Sequence, residues 1–181
     1  DKGQPMIMGT KVGQKHVQEQ IEAFGTFDHH PEGMEIDTEG RIYYKQFDLE
    51  YQIEGRRDNV KKADRLKLNL YFDPVRRSSD LLDLDVAITT QRKALNSIMA
   101  DRTPLDDDAT IKRAYCYYKL KYNETTRILE GFELNEKKVA KKKREAGFFA
   151  NTTLKIKADP VLAQHHYKLR DEQEKYFSMM K

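Results

Sequence analysis

A helix predicted to begin at Asp159-Pro160 and to continue to the end of the chain most limits how this sequence can fold. Aspartate accepts hydrogen bonds from the free N–H groups of a first helical turn, and proline fits that turn, so the pair is typical of a helix start. At about 100° per residue, two sets of side chains then fall on neighbouring arcs. We expect the apolar set to pack on a core. It comprises Leu162, Leu169, Tyr176 and Met180. The polar set comprises Tyr167, Arg170, Glu174 and Lys181, and this combination predicts a catalytic edge.

The polar set has a distinctive spacing, in which two, three and six residues separate Tyr, Arg, Glu and Lys. This spacing resembles the signature of the DDE transposases of bacterial insertion sequences, in the insertion-sequence-four superfamily. That family places a glycine-aromatic strand before the helix, and Gly147-Phe-Phe-Ala-Asn-Thr-Thr153 occupies this place here. Arg170-Asp171 followed by Glu174-Lys175 and Phe177 resembles the branch written RD-x-x-EK-x-F. Residues 4–21 resemble, more weakly, the strand and helix that follow the family's second Asp.

The resemblance implies metal-dependent DNA cleavage and strand transfer. Glu174 would be the third of three carboxylates that hold Mg²⁺ or Mn²⁺, on a helix beside a ribonuclease-H-like sheet. Tyr167, Arg170 and Lys181 would contact the DNA backbone, where arginine suits bidentate phosphate contact. The implied partners are transposon-end DNA and target DNA, and the implied assembly of the full-length protein is a homodimer.

The other two metal-binding Asp residues of the family belong on upstream strands, the second of them in an Asp-Arg-Gly context. Asp1-Lys2-Gly3 looks like that triplet, but the strand-like run Met6-Ile-Met8 follows it too soon, so we interpret Asp1 as a loop residue. The chain is therefore expected to be the C-terminal part of a catalytic domain that lacks most of its metal site. On this interpretation the fragment alone neither binds the metal nor cleaves DNA.

The predicted fold class is α/β or α+β, with a partial ribonuclease-H-like core that carries a mixed α+β insertion. Residues 1–25 and 147–181 would belong to the core and residues 26–146 to the insertion. Alternation and apolar runs predict strands. They cover Pro5–Thr10, Arg41–Phe47, Leu66–Phe72, the Phe148-Phe149 segment and a hairpin within Lys119–Leu134. The first of these is a short apolar run, so we expect it to be a buried strand. Helices are predicted near residues 17–24, at 74–101, after the Asp106–Asp108 cap with Tyr115 and Tyr118 inside it, and at Glu136–Glu145.

The basic run of the last of these helices is a candidate DNA contact, because each phosphate that it neutralises would add salt-dependent affinity. Its members assigned to DNA are Lys141, Lys142, Lys143 and Arg144. A solvated helix face is the alternative explanation. The tyrosines between 115 and 122 interleave with Lys119 and Lys121, which fits base stacking, and core packing explains them as well.

Composition is compatible with a DNA-associated protein but does not indicate one. The formal net charge is only +3 over 181 residues, and the single cysteine, Cys116, excludes an internal disulfide. No apolar run reaches the roughly 18 residues of a membrane helix, so we expect no membrane partner. The expected location is the bacterial cytoplasm, in association with the nucleoid. The alternative explanation of the polar set is a surface helix in which Arg170 and Glu174 are an ordinary i, i+4 pair. The alternative function is a non-catalytic α+β protein-interaction domain whose terminal helix binds a partner protein.

Overall fold

The computed structural model describes residues 6–52, 63–154 and 159–179. The chain divides into two compact units, of which the first contains Asp1–Arg77 and Gly147–Lys181 and the second Ser78–Ala146. In chain order the elements are β1 (Met6–Thr10), α1 (Lys15–Ala23), β2 (Glu35–Asp37), β3 (Ile42–Gln52), β4 (Ala63–Phe72), α2 (Pro74–Asp101), α3 (Asp108–Ala114), β5 (Tyr118–Tyr122), β6 (Leu129–Leu134), α4 (Glu136–Glu145), β7 (Phe148–Leu154) and α5 (Pro160–Met179).

The first unit is built on an antiparallel sheet with the strand order β1-β7-β4-β3-β2. Side chains alternate between the two faces of a strand, so β4 presents Leu68, Leu70 and Phe72 to one face and Asn69 and Tyr71 to the other. On the apolar face, helix α1 covers the core. That core comprises Val17, Ile21, Leu68, Leu70, Phe72, Phe148 and Ala150. Helix α5 lies on the opposite face.

The chain leaves the first unit after Arg77 and re-enters it at Gly147, and a backbone hydrogen bond holds Gly147 beside Asp73. The Asp73 carboxylate accepts hydrogen bonds from the N–H groups of Val75 and Arg76, which starts α2, and the Asp73 N–H donates to the carbonyl of Gly147 at 2.9 Å. Gly147 has a φ of +81°, and a Cβ there would lie 2.7 Å from the Arg77 Cβ. Glycine is therefore required at the start of β7.

The second unit has its own core, formed by Leu95, Leu105, Ile111 and Leu129. Asp107 caps α3 by accepting from the N–H groups of Ala109 and Thr110. The predicted helix is too long, because α3 ends at Ala114 and Tyr118 begins β5. Tyr118 donates to the carbonyl of Ile88 and packs edge-on against Phe132, which favours core packing for this tyrosine.

The α+β class is confirmed, since the described strands pair antiparallel and the helices are mixed among them. The bounds of the basic helix agree with the prediction, and the hairpin is β5–β6. The expectation that residues 5–10 form a buried strand is wrong, because β1 is an edge strand in which Met6 and Met8 are 41% and 40% exposed.

The division into core and insertion remains a prediction; the compact units divide after residue 77 rather than after residue 25. Among the described residues, no helix is long and apolar enough to cross a membrane.

Candidate functional site

A directed chain of hydrogen bonds, which we call the polar ladder, crosses the sheet face beneath α5. It is formed by Lys67, Gln46, Asn69, Asn151 and Tyr71. The Lys67 ammonium donates to the side-chain Oε1 of Gln46 at 2.7 Å, and the side-chain N–H₂ of Gln46 donates to Oδ1 of Asn69 at 2.8 Å. Asn69 then donates to Asn151 at 2.8 Å, and the Asn151 amide donates to the Tyr71 hydroxyl at 3.2 Å.

The polar ladder is buried at its centre, where Asn69, Asn151 and Tyr71 are at most 1% exposed. A buried amide or hydroxyl is tolerated only when it is hydrogen-bonded, and here each group satisfies the next. Burial also raises the pKa of Tyr71 well above its ordinary value, because the phenolate form would have to leave water. This sheet face is therefore polar, its central side chains are fixed by hydrogen bonds, and the Tyr71 hydroxyl stays protonated at neutral pH.

Helix α5 is attached to the end of this ladder. The Tyr71 hydroxyl donates to the carbonyl of Pro160 at 2.8 Å, and the Asp159 carboxylate accepts from the N–H of Val161 at 3.0 Å. The predicted helix start at Asp159-Pro160 is thus confirmed. Ala163 and Gln164 are the next contacts inward, at 0% and 6% exposure. The helix also contacts β1, β3 and β7, so the Phe148 strand lies beside it as the sequence predicts.

Two members of the polar set of α5, Tyr167 and Arg170, contact the sheet. The Tyr167 ring is packed so closely on Gly9 of β1 that a Cβ at Gly9 would meet its hydroxyl and would lie 2.9 Å from its Cζ. Arg170 donates to the carbonyl of Ile7 at 3.0 Å, and its Cζ lies 5.1 Å from the centroid of the Tyr167 ring. Both side chains therefore meet the edge strand of the sheet.

The predicted apolar core stripe of α5 is wrong. Leu162, Leu169 and Tyr176 are 49%, 43% and 66% exposed, while Met180 lies outside the described residues. The sheet face beneath α5 is polar, so burial of the apolar stripe there would bring it against the amides and hydroxyl of the polar ladder. Among the described side chains of α5, those that are buried are Ala163 and Gln164. The helix is consequently rotated so that its apolar stripe faces away from the sheet.

For the other predicted residues of the terminal helix, the structure gives a backbone position at most. Glu174 lies on α5, two turns after Tyr167 and on the same arc, and its side chain is outside what the structure describes. Lys181 and Asp1 also lie outside the described residues. The predicted metal role of Glu174 and the DNA role of Lys181 therefore remain predictions.

The basic run on α4 belongs to the second unit. Lys141 and Lys142 pair with Glu145 at 3.8 and 2.9 Å, and Glu145 raises the pKa of Lys142 by its hydrogen bond. Lys143 is exposed and Arg144 is half-buried. A neighbouring carboxylate reduces the local positive charge, so the run is a weaker electrostatic feature than the sequence suggests.

A cleft, which we call the α5 cleft, opens between α5, the end of β1 and the start of α2. It has a volume of about 660 Å³. Its polar lining comprises Thr10, Lys11, Asp73, Arg76, Gln164, Tyr167 and Lys168. Lys11, Arg76 and Lys168 were missed from the sequence because they come from three distant segments with no local pattern. Tyr167 lines the cleft and is also one of the site residues predicted from the sequence.

Divalent metals of the expected kind prefer oxygen ligands, of which several must converge. Among the described residues, no three or more His, Cys, Asp or Glu side chains are placed to hold a metal ion. The described donor groups therefore do not fit a metal centre by themselves, and no metal-dependent step is assigned to them. Comparison with protein-family models, with curated proteins and with solved structures finds no match to this chain.

Proposed function

We propose that this chain is part of a DDE transposase, which cuts and joins the DNA of an insertion sequence with the help of Mg²⁺ or Mn²⁺. In this proposal Glu174 is one of three metal-binding carboxylates, and the ribonuclease-H-like core is the part of the first unit that carries α5. Transposon-end DNA and target DNA are the substrates, and the intact protein is a homodimer.

The observation that carries the proposal is the orientation of α5. Tyr167 and Arg170, which share the transposase spacing with Glu174, are the side chains by which the helix meets β1. An ordinary surface helix would place its apolar stripe against the sheet and its polar arc in solvent. The opposite arrangement supports a helix whose polar arc is selected for a site at the sheet edge.

The test is Glu174→Gln in the full-length protein, with transposon excision as the readout. Removal of one metal-binding carboxylate is expected to lower excision by at least about 100-fold, since each metal ligand stabilises charge in the transition state. The matched control is Glu172→Gln, which removes the same charge from an exposed position of the same helix. Equal excision by the two variants would remove the catalytic assignment.

A second candidate function is a non-catalytic interaction domain, and the exposed stripe of α5 favours it. The described members of this stripe, Leu162, Leu169 and Tyr176, are 43% to 66% exposed. An exposed apolar stripe is typical of a helix that binds a protein partner. If this candidate is correct, Leu162→Ser with Leu169→Ser weakens self-association in sedimentation experiments, and Glu174→Gln changes neither association nor excision.

A further inference from the structure

The α5 cleft combines cations from separate segments of the first unit. Lys11 follows β1, Arg76 lies in the first turn of α2, and Lys168 lies on α5; all three side chains are exposed. Arg76 is positioned over the Phe149 ring, with 5.4 Å between its Cζ and the ring centroid. The carboxylate that lines the same cleft, Asp73, accepts two backbone N–H groups at the start of α2. The cleft therefore has a positive excess that suits a polyanion.

Gln164 is the second feature of the cleft. It is 6% exposed, and its amide oxygen is buried without a hydrogen-bond partner. A buried amide oxygen that lacks a partner destabilises the fold, which is a reason to expect a ligand group there. Rotation about its last side-chain torsion would present either the oxygen or the N–H₂ group at this point, so the amide can donate to a phosphate oxygen or accept from a base.

The surroundings of the cleft restrict the direction from which an anion can enter. A second cavity, of about 450 Å³, shares Gln164 and Lys168 with the α5 cleft. Its acidic lining comprises Asp37, Glu39 and Asp159. A negatively charged strand is repelled from that side and attracted to the side of Lys11 and Arg76.

We propose that the α5 cleft binds a phosphodiester of a DNA strand through Lys11, Arg76 and Lys168, with Gln164 hydrogen-bonding to the same nucleotide. The choice of DNA as the polyanion rests on the proposed function. Three cations from different segments match a backbone that carries a charge at every nucleotide. The cleft adds DNA contacts at Lys11, Arg76, Gln164 and Lys168 to those predicted from the sequence.

The test is fluorescence anisotropy of the full chain with labelled duplex and single-stranded DNA of about 20 nucleotides, as a function of salt. The variant is Lys11→Gln with Lys168→Gln. Each neutralised phosphate contributes about 0.9 to the slope of log affinity against log salt for a duplex. Loss of two contacts should therefore flatten the slope by about 2, so that between about 50 and 200 mM salt the unaltered chain loses roughly tenfold more affinity than the variant.

The matched control is Lys15→Gln with Lys119→Gln, which removes the same charge from lysines that pair with Glu19 and Glu133 outside the cleft. Equal slopes for the cleft variant and this control would overturn the inference, as would failure of the chain to bind either DNA. Loss of binding in Lys141→Gln with Lys142→Gln, but not in the cleft variant, would overturn the cleft and leave DNA binding by the proposed transposase intact.

Gln164→Leu separates a ligand contact from a purely structural defect. If Gln164 contacts the nucleotide, this variant binds about fivefold more weakly with an unchanged salt slope, since no charge is removed. If the amide is only an unpaired buried group, Gln164→Leu unfolds at a higher denaturant concentration than the unaltered chain and binds DNA equally well. That result would show that the role assigned to Gln164 is wrong.

Discussion

The hydroxyl of Tyr71 donates a hydrogen bond to the carbonyl of Pro160 at 2.8 Å, and so joins a buried central strand to the first turn of α5. The same hydroxyl accepts from Asn151 at 3.2 Å. One phenol therefore links β4, β7 and the helix that carries the proposed catalytic residue. The three segments are distant in sequence, and this link holds the first turn of α5 against the Tyr71 end of the polar ladder.

Tyr71→Phe is expected to destabilise the fold by about 1–3 kcal/mol, since it leaves the Pro160 carbonyl and the Asn151 amide without this partner in a buried place. Urea unfolding followed by circular dichroism measures the change. Tyr44→Phe is the control, because the Tyr44 hydroxyl donates to Glu35 at an exposed position. An equal loss in the two variants would contradict the importance of the buried link.

Stability is expected to decline above about pH 10 as a consequence of Tyr71. Burial raises its pKa above the ordinary 10.0, so the unfolded chain releases this proton at a lower pH than the folded chain does. The stabilisation is fully present below pH 10 and is lost as the pH rises towards the folded pKa, at up to about 1.4 kcal/mol per pH unit. Urea midpoints across this range should fall less steeply for Tyr71→Phe; parallel slopes would show that another group is responsible.

Gly9→Ala is expected to displace Tyr167 and to cost about 1–3 kcal/mol, because the added methyl group overlaps the ring. Thermal or urea unfolding measures the cost. At Gly13 nothing lies within 4 Å of the position of a Cβ, so Gly13→Ala is the matched control. Combining Gly9→Ala with Tyr167→Leu should recover most of the loss, and an undiminished loss in that double variant would mean that the contact is not the cause.

The second unit is expected to lose stability in acid. The Arg127 guanidinium, 2.6 Å from Asp108, holds the pKa of that carboxyl below 3.8, and hydrogen bonds from Thr110 do the same for Asp107. Their stabilisation is present above the unfolded pKa and is lost as the pH falls below it. Asp108→Asn should therefore flatten the decline between about pH 5 and pH 2. Glu124→Gln, in an exposed turn, is the control, and similar profiles for both variants would refute the assignment.

Much of the local structure could be predicted from the sequence, because helix caps and strand alternation act within a few residues. Asp159 caps α5 as its residue type suggests, and the predicted helices at 74–101 and Glu136–Glu145 coincide with α2 and α4. The site could be predicted less well. The spacing selects Tyr167 and Arg170, but nothing local reveals that Gly9 and Ile7 would be their partners.

The sequence by itself determined most of the segments that form helices and strands and which side chains share an arc, since those properties follow from backbone geometry and neighbouring residues. Tertiary structure decided the strand order, the edge position of β1 and the rotation of α5. These depend on pairings such as Asn69 with Asn151, which are 82 residues apart. A buried amide is stable only when it is hydrogen-bonded, and its partner can come from any part of the chain, so local sequence does not reveal it. Contacts of Tyr167 with Gly9 and of Arg170 with Ile7 place this side of α5 against β1.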